Sequence, residues 1–149
     1  MRSSSKRYLF VKYLKKRFTN LNYYTSQNAI NARKSRSNSV LLHTNSVGFP
    51  YTAPEIFRMH PYNASADTCS AGVILYAMDM GHLPFSDKNS SRLIQMILHD
   101  DPIYPSYLSS ELVDLLKNLL SKDMKSRFTV EQASEHPWIA HSVYSFLNN

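Results

Sequence analysis

The chain is poor in the residues that define several protein classes. It has one cysteine, Cys69, so no disulfide can close within it, which fits a reducing, cytoplasmic setting. Its three glycines, Gly48, Gly72 and Gly81, are too few and too scattered for a glycine-rich phosphate loop. The longest apolar run, Ala71 to Met78, is far shorter than a bilayer-spanning helix requires. Met1 to Arg17 lacks the clean apolar centre of a secretory signal, because lysines and arginines interrupt it throughout. The histidines His43, His60, His82, His99, His136 and His141 show no zinc-like spacing with Cys69, so no metal site is expected. Negative charge is the scarcity with the widest consequence: no Asp or Glu precedes Glu55.

What is present suffices for one domain. The chain has 149 residues, 43% of them hydrophobic and 12% aromatic, which argues against wholesale disorder. Its net charge of +6 divides unevenly: residues 1–45 hold ten Lys and Arg, while the remainder holds seven, together with all eleven acids. A strongly cationic arm is thus joined to a mildly acidic body. The arm is rich in Ser and Asn, and Tyr8 to Phe18 mixes apolar and basic residues without a single apolar stripe. A solvated, irregular segment is the plain reading. A transit peptide, a nucleic-acid arm or a membrane-surface helix also fits its composition.

The body reads as helical. Residues 65–80 are apolar on almost every side, as in a helix buried through the middle of a domain, and Gly81 followed by Pro84 ends it. Leu93, Met96 and Ile97 give helical spacing to Ser90–His99. After a turn-rich stretch with the solvated acidic pair Asp100-Asp101, Ser109 or Ser110 can cap a third helix. Its residues Leu112, Leu115, Leu116, Leu119 and Leu120 follow one face. Thr129 and Gln132 form a capping box for a fourth helix that stops before Pro137. No segment alternates as a strand would.

Four segments, in this order, resemble the C-terminal lobe of eukaryotic-type Ser/Thr protein kinases, particularly the calcium/calmodulin-dependent and AMP-activated group. Tyr51-Thr52-Ala53-Pro54-Glu55 resembles the Ala-Pro-Glu end of the activation segment. Asp67 to Tyr76, with Gly72, resembles the start of the central buried helix, with Cys69 where the family usually carries tryptophan. Gly81 to Phe85 resembles the turn after it. Asp123 to Ile139, including Arg127 and Trp138, resembles the closing segment. The resemblance implies a mainly α fold, with a partial kinase domain over 41–141, a basic low-complexity arm over 1–40 and a tail over 142–149. It further implies that Glu55 pairs with Arg127, that Asp67 receives backbone hydrogen bonds from the catalytic loop, and that Trp138 packs in the core.

The family reaction is ATP-dependent phosphorylation of Ser and Thr in proteins. It needs one aspartate to orient the substrate hydroxyl and another to hold magnesium, both ahead of Ala-Pro-Glu. With no acid before Glu55, this chain supplies neither, so no catalytic, cofactor-binding or metal residue is assigned, and ATP and magnesium are implied only for a complete domain. The chain alone is expected to be inactive, as a kinase fragment or pseudokinase; a non-catalytic module that binds proteins is the alternative. Val47-Gly48 replaces the family's Gly-Thr or Gly-Ser pair. Thr44 aligns with the common activating phosphorylation site, and Ser46 is a nearby alternative. Protein substrates or regulators are the expected partners, through residues 90–99 and adjacent loops, rather than nucleic acid or a membrane.

Overall fold

A computed structural model of the chain describes residues 46–60 and 64–140, together with Leu9, Phe10 and Lys12. Most of the basic arm, including Thr44, and the tail from 141 lie outside the described residues. A 3-10 turn over Ser46–Tyr51 leads into a short helix α1 (Pro54–Phe57), then α2 (Ser65–Met80), α3 (Ser90–His99), α4 (Ser110–Leu119) and α5 (Val130–Glu135). Among the described residues there is no strand, and no helix is long and apolar enough to cross a membrane.

Helix α2 runs through the centre. Its Ala66, Cys69, Ala71, Val73, Leu75 and Tyr76 are all buried, which is why its apolar residues show no preferred side. Burial leaves Tyr76 with a hydroxyl to satisfy, and it donates to Ile103 O at 2.7 Å. Helix α4 lies directly against α2 and buries Leu112, Leu115, Leu116 and Leu119. Gly72 permits this approach: a Cβ there would sit 2.8 Å from Leu119 Cβ and 3.0 Å from Leu120 Cδ2. The contact therefore requires a residue without a side chain at that place.

The helix ends follow from local chemistry. Gly81 adopts φ 76° in the left-handed region and its N–H returns to Ala77 O at 2.9 Å, closing α2. Asn89 caps α3 by accepting from Arg92 N, and Ser109 caps α4 by accepting from Leu112 N. Thr129 and Gln132 exchange both bonds of the capping box at the start of α5. That helix stops at Glu135, and a further helical turn begins at Pro137.

Two apolar clusters result. The larger joins α2 and α4 to Ala53, Ala133, Trp138 and Ile139. It also contains Phe10, fully buried, whereas adjacent Leu9 is 55% exposed. Among its described residues, the basic segment thus contributes Phe10 to the principal core. The smaller cluster is Phe85, Leu93 and Ile97, with Phe49 and Phe57 packed against it. It fastens α3 to the 3-10 turn and to α1.

Candidate functional site

The 3-10 turn and the start of α1 carry the Tyr-Thr-Ala-Pro-Glu segment across the surface of the helical body. Thr52 N donates to Phe49 O at 3.0 Å and Thr52 Oγ1 donates to Gly48 O at 3.1 Å, which tighten the turn on itself. Ser70, on α2, donates from its Oγ to Tyr51 O at 2.7 Å and fixes the turn to the central helix. Phe49 packs edge-on to Phe57 with ring centroids 5.7 Å apart. Ala53 is fully buried, and Pro54 opens α1 at a position where its missing N–H removes no helical bond.

Glu55 is then turned inward, to Arg127. Arg127 Nη1 donates to Glu55 Oε1 at 2.7 Å and Nη2 to Oε2 at 2.9 Å, a bidentate pair bridging 72 residues of sequence. Both side chains are essentially excluded from solvent. The guanidinium is completed by Nη1 donating to Ser65 O at 3.0 Å and Nε donating to Ser121 O at 2.9 Å. One side chain therefore joins α1, the start of α2 and the segment after α4.

The electrostatics follow from this geometry. Burial pushes the Glu55 carboxyl up, but the Arg127 hydrogen bond, the backbone and the charges of Arg127 and Arg58 outweigh it, holding Glu55 below its ordinary value of 4.5. For Arg127, burial disfavours the cation; the Glu55 hydrogen bond and nearby negative charges reverse this and raise its pKa. Burial pushes the Cys69 thiol up, so it is a packing residue and not a poised nucleophile.

The remaining residues singled out in the sequence separate into several places. Asp67 is half-buried in the first turn of α2, where a negative charge favours the helix N-terminus. The Trp138 side chain lies in the main core, the residue being 2% exposed, and its backbone N–H donates to His136 Nδ1 at 3.3 Å. His136 Nε2 lies 3.0 Å from Asp114 Oδ2. Ser46 opens the 3-10 turn, and Tyr51 closes it, 39% exposed. Ser65, Ser70 and Ser121 were not distinguishable in the sequence, because Ser65 and Ser121 act through their backbone carbonyls and Ser70 bonds to one. Among the described residues, no three His, Cys, Asp or Glu side chains come together as a metal site would require.

Residues 26–139 match the family model described as the protein kinase domain. Over 109 residues the chain is 38% identical to a protein of Dictyostelium discoideum named as a probable serine/threonine-protein kinase, covering 72% of this chain and 13% of that protein. It is 38% identical over 105 residues to protein kinase C of Drosophila melanogaster, covering 67% of this chain and 14% of the relative. It is 36% identical over 110 residues to CBL-interacting protein kinase 10 of Oryza sativa subsp. japonica, covering 73% of this chain and 24% of the relative. The chain thus spans a quarter or less of the length of these relatives. The family match, the identities and a helical body closed by the Glu55–Arg127 pair agree: this chain belongs to the eukaryotic Ser/Thr protein kinase family and forms part of its helical C-terminal lobe.

Proposed function

We propose that these residues supply the substrate-side floor of a Ser/Thr protein kinase domain and do not themselves transfer phosphate. The family's reaction, ATP-dependent phosphorylation of Ser or Thr in proteins, is the activity in which this lobe takes part. The observation that carries the reading is the absence of any carboxylate before Glu55. Magnesium on ATP takes oxygen ligands, commonly one or two carboxylates besides the phosphates. The first carboxylate in the chain has both oxygens engaged by Arg127. No carboxylate therefore stands ahead of the Ala-Pro-Glu segment, where the family reaction needs two, and no catalytic step is derived through magnesium–ATP.

What they do fit is a scaffold. The paired Glu55 and Arg127 hold the end of the activation segment against α2, and Phe85, Leu93 and Ile97 seat α3 beside it. The outer face of α3 carries Ser91, Arg92 and Gln95, all exposed. Protein substrates or regulators are the partners this arrangement suits, through residues 90–99 and the adjoining loops. The same absence of acids favours a second reading, a non-catalytic kinase-like module that binds proteins. Purified chain melted with and without magnesium–ATP tests the shared premise. An unchanged melting temperature is expected; a saturable upward shift would show a nucleotide site that the premise denies.

A further inference from the structure

On the surface behind Glu55 lies a cleft of about 490 Å³ that the anchor does not use, lined by Glu55, Arg58, His60, Lys122, Asp123 and Lys125 among others. Among the described residues, two of its cations are held by carbonyls and not by carboxylates. Arg58 Nη2 donates to Leu98 O at 3.2 Å, and Lys122 Nζ donates to Ile97 O at 2.6 Å. These are consecutive carbonyls in the last turn of α3, whose partial negative charge draws both cationic heads to one place. The Lys122 ammonium also stands 4.1 Å from the centroid of the Phe85 ring.

Among the described residues, Arg58, Lys122 and Lys125 form no salt bridge with any carboxylate. Glu55 is cancelled by Arg127, and Asp123 Oδ1 accepts from the Lys125 backbone N–H at 3.0 Å. The lining therefore sets three cations and His60 against one uncancelled carboxylate. Burial pushes Lys122 down to about 8, and Arg58 acts in the same direction. Cys69 on α2 and Asp101 and Asp100 beyond α3 oppose that push without lining the cleft. An anion in the cleft would relieve the repulsion between Arg58 and Lys122 and replace water lost by burial.

We propose that this cleft binds a phosphoryl group, carried either on a phosphorylated serine or threonine of a protein segment or as the free phosphate ion. The charge balance selects this chemistry. A dianion with three acceptor oxygens can engage the Arg58 guanidinium N–H groups that have no acceptor among the described residues, and both ammonium groups with them. A single carboxylate would leave most of that charge unmatched.

Amide chemical shifts of the full chain, titrated near neutral pH in physiological salt, provide the test. The probes are inorganic phosphate, a phosphoserine pentapeptide and its unphosphorylated twin. Saturable shifts at Arg58, His60 and Lys122 to Lys125 are expected with phosphate-bearing probes and not with the twin. Peptide binding about tenfold tighter than inorganic phosphate assigns the group to a protein segment, and equal affinity assigns it to the free ion. Lys125→Gln removes a charge whose ammonium makes no hydrogen bond among the described residues, so folding should stay intact, and it should weaken binding about tenfold. Arg58→Gln combined with it should weaken binding further. No saturable shift with either phosphate probe, or an affinity unchanged by Lys125→Gln, would overturn the proposal.

Discussion

Arg127 satisfies one carboxylate and two backbone carbonyls at once, so its removal has more than one consequence. Arg127→Met leaves Glu55 charged and buried, with Ser65 O and Ser121 O deprived of their donor. A loss of about 3–5 kcal/mol in unfolding free energy is expected by urea denaturation, the range for orphaning one member of a buried pair. Glu55→Met together with Arg127→Met should lose less than the sum of the single changes, because no unpaired charge remains. The pair also gives acid sensitivity a definite sign. Since the folded carboxyl lies below 4.5, its stabilisation is complete above that pH and disappears as the pH falls through the lower folded value. Urea midpoints compared between wild type and the double variant across this acid range should converge as the pH falls.

Among the elements, the packing of α2 on α4 is the least tolerant of change. Gly72→Ala gains helix propensity of up to about 1 kcal/mol, yet its methyl would meet Leu119 Cβ at 2.8 Å. Overpacking of a core contact typically costs about 1–3 kcal/mol, so net destabilisation is expected, read as a lowered urea midpoint. Helix α4 was legible in the sequence because its leucines, its Ser109 cap and its Glu111 all act within a few residues. The capping box at Thr129 and the Gly81 stop were legible for the same local reason. The 3-10 turn was not: it is held by Ser70 Oγ on Tyr51 O, 19 residues away, and a carbonyl has no signature in the sequence. The bonds from Arg58 and Lys122 to the end of α3 were hidden likewise, since any lysine or arginine can seek a carbonyl. The Glu55–Arg127 pair was reachable only through the family resemblance, because nothing local connects residues 72 apart.

At the scale of the whole molecule, the division between basic arm and acidic body is one of charge and is incomplete as packing. Phe10 enters the principal core while Leu9 beside it stays exposed, and the run Tyr8 to Val11 gives no hint of which residue turns inward. The family match begins at residue 26, ahead of the point where the Ala-Pro-Glu resemblance becomes recognisable by eye. The functional meaning of the arm rests on charge all the same. Its ten basic residues come without one carboxylate, and on that absence rests the proposal that the chain supplies a substrate-side floor and does not itself transfer phosphate. Transfer of labelled phosphate from the γ position of ATP to a basic serine peptide, with magnesium and the purified chain alone, tests this most directly. The account predicts no incorporation above an enzyme-free control. Incorporation that scales with the amount of chain and survives repurification would contradict it.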